Sequence, residues 1–386
     1  MTDRKRHRPE TIAASHGVAT DAAFGAVVPP LYLSTTYQFE GYDKPGPYDY
    51  GRGNNPTRDQ FASALAQLEE GAGAVITSSG LGALDLLVGR LTPADLVIAP
   101  HDAYAGTLRL LQARANRGHF RLCLIDQSDD AAVHQALDDT PALLLIESPS
   151  NPLMRVVDIE SRAAWAHQAG AEVAVDNTFL SPALQQPIPL GADYVFHSTT
   201  KYLNGHSDVI GGAVVASDRQ RFESLKQWAN IVGATGSPFD SWLALRGLRT
   251  LYARLAVQQK SAMAIAVYLS DHPAVKAVHY PGLPTHASHA IANRQQSGFG
   301  AMLSFELHGG LAAVRNFLRS VEIFTLAESL GGVESLIAHP ATMTHVDMTD
   351  EARTLAGISD SLLRISVGLE ATSDLIAGLY SGLDAC

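Results

Sequence analysis

The amino-acid sequence predicts an α/β fold: a mostly parallel sheet covered by helices on both faces, followed by a smaller α+β unit. Three observations predict it. Short apolar runs recur at Ala74–Ile76, Leu96–Ala99, Phe120–Ile125, Ala142–Ile146, Val173–Val175, Tyr194–Phe196 and Val209–Val215, lengths that suit buried strands. Helical stretches such as Thr107–Arg117 and Ile159–Gln168 separate most of them, and strands that alternate with helices build parallel, doubly covered sheets. After about Arg246 the rhythm changes to one helical stretch, Leu248–Leu269, and then short strands and helices. The division expected is an extended arm over 1–57, a large domain over 58–246 and a C-terminal domain over 247–386.

Bulk properties narrow the function. At 386 residues, 46% apolar and 17% charged, the chain is ordinary globular protein with room for a sizeable core. A formal net charge of −11, with no basic stripe, excludes a general nucleic-acid binder and favours small metabolites. Cys123 and Cys386 form no disulfide framework and suit a reducing cytosol. No apolar run approaches the ~20 residues of a membrane helix. The basic opening Arg4-Lys5-Arg6-His7-Arg8 precedes no apolar segment, so it reads as a solvated tail and not a secretory signal. A soluble, cytoplasmic protein is expected.

In chain order, Pro29–Pro56 is rich in Pro, Gly, Tyr and Asn and reads as an extended arm. Within it Tyr50 and Arg52, two apart, point the same way and suit a shared anion, or else a surface cation–π pair. Thr57 or Asp59 is the expected cap of a helix through Glu70 that buries Phe61, Leu65 and Leu68. Ala74–Arg90 reads as strand, small-residue turn and helix, which places the free amides of Gly80 and Leu81 where they can bind phosphate. A dinucleotide fold would need a third glycine where Asp85 stands, and a plain tight turn is the other alternative. Tyr104 and Asn151 fall near strand ends, where they can face a ring or be ordinary loop residues. His286 and His289 are at helical spacing without a third ligand, so surface histidines and no metal are expected. Arg364 is a charge inside the apolar strand Leu362–Val367, and its burial calls for a carboxylate partner, structural or substrate.

The sharpest signal is a pair. Lys201 follows the run Tyr194–Phe196, and Asp176 closes the run Val173–Val175. An ammonium at a core strand's end is desolvated, so it is paired, neutral and nucleophilic, or snorkels outward. A carboxylate at a strand's carboxyl end lies where α/β sheets bind ligands, although turn and cap aspartates are commoner. Together they fit pyridoxal phosphate, with the lysine as its covalent anchor and the carboxylate at the pyridinium nitrogen.

With the motifs Val175-Asp176-Asn177-Thr178-Phe179, His197-Ser198-x-Thr200-Lys201-Tyr202-x-Asn204-Gly205-His206-Ser207-Asp208 and Gly298-Phe299-Gly300-x-Met302 collected, the chain resembles the pyridoxal-phosphate-dependent enzymes of cysteine and methionine metabolism from about Thr11 to its end. The resemblance implies the aspartate-aminotransferase-like fold (fold type I), with a seven-stranded-type sheet, and a homotetramer built as a dimer of dimers. It implies that Lys201 is the Schiff-base lysine, Asp176 the pyridinium partner and Tyr104 the stacked ring. The phosphate would lie on the backbone of Gly80 and Leu81 and the hydroxyls of Ser198 and Thr200, reached also by Tyr50 and Arg52 from a neighbouring subunit. Arg364, Asn151, Ser329 and Glu328 would surround the substrate.

The reaction implied is replacement at the γ-carbon of an O-acylhomoserine, O-succinylhomoserine favoured, by L-cysteine, with γ-elimination as the alternative. Glu328 and Leu330 depart from the Tyr and Trp usual in β-lyases, and Gly106 from the Cys of methionine γ-lyases. Gly51, Leu81 and Ala105 depart from the common Ser, Met and Gly at positions where backbone amides and unchanged side chains hold the cofactor. Gly53 stands where a second arginine is usual, leaving Arg109 and Asn230 as candidate contacts to the distal end of the ester.

Overall fold

The computed structural model describes residues 7–386, so Arg4, Lys5 and Arg6 of the basic opening lie outside the described residues. A seven-stranded sheet is formed by β1 (Gly73–Thr77), β2 (Leu96–Pro100), β3 (Arg121–Ile125), β4 (Leu143–Glu147), β5 (Glu172–Asp176), β6 (Tyr194–Ser198) and β7 (Gly212–Ala216). Their spatial order is β1-β7-β6-β5-β4-β2-β3. The strands from β6 through to β3 pair in parallel, as their alternation with helices requires. Only β7 runs against both its neighbours. The reason is local: Thr199–Gly211 carries no crossover helix, so the chain turns over the end of β6 and comes straight back. That turn holds Lys201. Strands β2, β4 and β7 are buried along their whole length, which is why they read as continuous apolar runs.

Two boundaries differ from expectation. The first long helix is Pro56–Leu68, and its cap is Asn55, whose side chain accepts from the amides of Thr57 and Arg58. Pro56 then takes the first helical position, where a missing N–H costs nothing, and Thr57 is used instead to fasten the arm through Tyr32 and Pro30. The helix expected over Leu248–Leu269 is Leu251–Ser270, and a separate helix, Pro238–Leu248, stands just before it. At the break, the Arg254 guanidinium donates to the freed carbonyl of Gly247 and to Tyr202 O, both at 2.9 Å. A Cβ on Gly247 would fall 2.0 Å from Asn204 O. The break therefore lets the chain pack directly on the segment that carries Lys201.

The second sheet comprises β8 (Val275–His279), β9 (Met302–Leu307), β10 (Thr325–Leu326), β11 (Leu336–Ala338) and β12 (Leu362–Ser366), in the order β10-β11-β12-β9-β8. Arg364 sits in the central strand β12, opposite Ser304 and Ala338. One apolar core joins the two sheets, with Phe61 and Val195 on one side, Phe305 and Phe317 on the other, and Leu255 and Ile265 of the long helix in the same cluster. Contiguity of this core holds the two sheets in fixed relation. His286 and His289 are half-buried and not on the surface, because His289 stacks on Phe299 at 5.6 Å between ring centroids and bonds to Pro281 O. Within the expected arm, Pro9–Ser15 is a short helix and the stretch 20–55 has neither helix nor strand, with Phe24, Leu33 and Tyr42 exposed.

Candidate active site

A cavity of about 850 Å³ opens at the carboxyl ends of β4, β5 and β6, between them and the segment Ala327–Leu330. This is where a parallel α/β sheet exposes its strand ends and receives ligands. Lys201 reaches it from the turn after β6, and its Nζ donates to Ser329 Oγ at 2.7 Å. Burial, and then the nearby Arg364 charge, lower the Lys201 pKa to about 8, with Glu328 opposing. Ser329 has a φ of 85°, a region that side chains rarely adopt and that marks a backbone held in place by its surroundings. Its carbonyl accepts from Arg364 Nη2 at 2.9 Å.

Arg364 is buried, and its Nη1 donates to Asn151 Oδ1 at 2.9 Å. Its Nε is buried and has no hydrogen-bond partner among the described residues. The carboxylate that burial seemed to demand is absent from its hydrogen bonds; two neutral oxygens and one unused N–H take its place. An uncompensated guanidinium is costly, and here burial lowers its pKa to about 10, with Tyr202, Glu328 and Tyr104 opposing. Arg364 lines the cavity, and an incoming carboxylate would supply the counter-charge its guanidinium lacks.

Asp176 closes β5 and accepts from Thr178 N at 2.9 Å. Burial raises its pKa, opposed by the Thr178 side-chain and backbone hydrogen bonds and by His197. His197 itself is sealed against Glu69, Nε2 to Oε1 at 2.6 Å, both fully buried. A cationic partner at the cavity end of Asp176 would stabilise the ionised form. Thr178 Oγ1 also accepts from Ser198 N at 2.9 Å, which ties the ends of β5 and β6 together.

The helix Gly80–Val88 starts at the cavity. Its cap Ser79 accepts from Gly82 N and not from Gly80 or Leu81, whose first-turn amides have no intrahelical acceptor. Gly80 approaches Ser198 so closely that a Cβ on it would lie 2.8 Å from Ser198 Cβ. These amides and the Ser198 and Thr200 hydroxyls line one end of the cavity, where they could hold an anion. Tyr104, 42% exposed, stands at the N-cap position of the next helix, Ala105–Asn116. Thus the cavity gathers Gly80, Leu81, Tyr104, Asn151, Asp176 and Ser198, and with them Thr200, Lys201, Glu328, Ser329 and Arg364.

Four expected residues do not line it. Tyr50, Arg52 and Asn230 share a separate depression of about 370 Å³. There Arg52 Nε donates to Asn230 Oδ1 at 3.2 Å and its guanidinium sits 5.3 Å from the Tyr50 ring centre. Arg109 is on the outer side of its helix, paired with exposed Asp347. Among the cavity residues without an expected role is a second buried carboxyl, Glu147. Its signal was available, a carboxylate at a strand end like Asp176, but which strands are neighbours cannot be read from the chain.

The donor set fits a phosphorylated pyridine bearing an aldehyde: an amine able to lose its proton, a buried carboxylate, a ring face and a separate anion cradle. Residues 10–384 match the model of the Cys/Met metabolism PLP-dependent enzyme family. The chain belongs to that family, and its cofactor is pyridoxal 5′-phosphate. It is 54% identical over 376 residues, 97% of each chain, to cystathionine gamma-synthase of Escherichia coli (strain K12). It is 42% identical over 392 residues, the whole of each chain, to cystathionine gamma-lyase of Dictyostelium discoideum. Among solved structures, cystathionine gamma synthase from Xanthomonas oryzae pv. oryzae in complex with cystathionine matches with a TM-score of 0.97 at 56% identity, over 98% of each chain. The fold is accordingly fold type I.

Proposed function

We propose that this enzyme is a cystathionine γ-synthase: it displaces the acyloxy group of an O-acylhomoserine with the sulfur of L-cysteine, giving L-cystathionine and the free acid. The observation that carries the reading is the convergence of Lys201, Asp176 and the guanidinium-bearing Arg364 on one cavity, in a chain 54% identical to a synthase over nearly its full length.

Bound pyridoxal phosphate would supply the electron sink that stabilises negative charge on substrate carbon. Asp176 would face its ring nitrogen, Tyr104 its ring face, and Gly80, Leu81, Ser198 and Thr200 its phosphate. Arg364, steadied by Asn151 and Ser329, receives the substrate α-carboxylate and so fixes which bond at Cα faces Lys201. Near neutral pH a useful share of Lys201 is unprotonated, so its amine can take the proton from Cα and return it elsewhere. Loss of a Cβ proton then lets the γ C–O bond break, with its electron pair leaving on the carboxylate. The cysteine sulfur forms the new bond at Cγ, and protons return to Cβ and Cα. Glu328, at the cavity wall, lies near both Lys201 and Arg364 and favours their charged forms.

The γ-lyase relative gives the second reading, because every group that meets the cofactor serves both reactions. Initial rates separate the two. With ester plus cysteine, cystathionine is the expected main product, and 2-oxobutyrate with ammonia appears chiefly when cysteine is withheld. Succinyl and acetyl esters are both to be tried, since Gly53 leaves the distal end without the usual arginine. Faster cleavage of cystathionine than its synthesis from either ester would replace the synthase with the lyase.

Assembly belongs to the same proposal. An arm with Phe24, Leu33 and Tyr42 exposed suits burial against another copy, and a homotetramer of paired dimers, working in the cytosol, is the state we favour. Tyr50 and Arg52, remote from the cavity of their own chain, would then complete the phosphate site of a neighbour. Mixing Arg52→Ala with Lys201→Ala subunits is expected to restore part of the activity that each lacks alone, since one site of the hybrid dimer keeps both residues. Verified subunit exchange with no recovery would rule out the shared site.

A further inference from the structure

We infer that Glu147 is a positioning residue, whose one side chain holds the Tyr104 and Asn151 backbones in a single frame. Glu147 ends β4 and lies in register with Asp176 on β5, with 6% of its surface exposed and its carboxyl at the cavity wall. Its two oxygens are divided between two loops. Oε2 accepts from Tyr104 N at 2.9 Å, and Oε1 accepts from Asn151 N at 3.0 Å.

The residue's own backbone is fixed from the other side by Gln127, which donates to Glu147 O at 2.5 Å and accepts from Glu147 N at 3.3 Å. Asn151 is then held at three atoms by three parts of the chain. Glu147 takes its N–H, His345 Nε2 bonds its carbonyl at 3.2 Å, and Arg364 takes its Oδ1. Tyr104 has one such tether, since its amide precedes the helix Ala105–Asn116 and meets only Glu147.

The choice of residue is informative. A carboxyl buried beside Asp176 is unfavourable: burial and the Asp176 charge push its pKa well above the usual range. Glutamine would remove that cost with the same shape. It has only one accepting oxygen, however, and its NH2 would face whichever backbone N–H it failed to serve. Two inward-pointing amides require two acceptors, and at this length only a carboxyl supplies them. The inference deepens the proposed function, because it rests on Tyr104 facing the cofactor and Asn151 facing the substrate.

The test uses purified, cofactor-loaded Glu147→Gln alongside wild type. Thermal midpoint and bound cofactor are measured first. With a folded, loaded variant, the KM for the acyl ester is expected to rise about tenfold, the order of one lost hydrogen bond. The rise should exceed any fall in kcat, and the circular dichroism of the bound cofactor's visible band should weaken as Tyr104 loosens. A loaded Glu147→Gln enzyme with wild-type KM and dichroism overturns the inference, whatever product the wild type makes. If that variant does not fold, amide exchange in the wild type decides. Tyr104 and Asn151 N–H are expected to be protected as strongly as those of β4, and rapid exchange at both overturns the assignment.

Discussion

Lys201→Ala is expected to fold normally and to lose turnover by about 10³-fold or more, the order expected when a nucleophile and general base is removed. The side chain makes one hydrogen bond, to Ser329 Oγ, and its burial disfavours the charged form. Its deletion removes as much desolvation cost as attraction, so the thermal midpoint should barely move. The wild-type amine also carries a pH signature. A pKa lowered to about 8 leaves roughly a tenth of it neutral at pH 7, where an ordinary lysine would be almost wholly protonated. Only the neutral amine can attack an aldehyde, so cofactor capture by the apo-protein should accelerate as pH rises from 6.5 and level off above about 8. Substantial activity in Lys201→Ala, or capture that is flat across this range, would refute the assignment.

Arg364→Met should cost about 10²-fold in kcat/KM, mostly through KM, while cofactor capture by Lys201 persists. Methionine fills the space of the guanidinium stem in β12 without leaving a charge unpaired, so the change removes the carboxylate partner rather than the strand. Two charge-assisted hydrogen bonds to a desolvated carboxylate are worth about 3 kcal/mol, which sets the magnitude. A second readout follows from the same geometry. The Arg364 charge depresses the Lys201 pKa, after burial the larger cause, so its removal should move the midpoint of cofactor capture to higher pH. An Arg364→Met enzyme with unchanged KM and an unchanged capture profile would place the substrate carboxylate elsewhere.

The alternation of apolar runs and helices was legible in the chain because strands buried on both faces carry an uninterrupted apolar signal, as β2, β4 and β7 do. The lysine and the aspartate were legible for the complementary reason: a charge at the end of such a run contradicts its surroundings. Boundaries were less so. Asn55, not Thr57 or Asp59, caps the helix Pro56–Leu68, since several neighbouring residues have side chains able to cap and only the path of the arm selects one.

The sequence by itself determined the class of fold and the family, and it singled out as candidates the residues whose chemistry is tied to a strand end: Lys201, Asp176, and the amides of Gly80 and Leu81. Those assignments depend on local pattern, which the chain carries in order. Tertiary structure decided everything that depends on neighbours in space. It set Glu147 beside Asp176 through the β4–β5 register, and it brought Ser329 and Arg364 from around the second sheet against Lys201 and Asn151 in the loops of the first. It also left Arg109 paired with Asp347, and Tyr50, Arg52 and Asn230 together in a depression of their own. Contacts between residues more than a hundred positions apart are set by how two sheets pack on one core, and periodicity along the chain carries no trace of that packing.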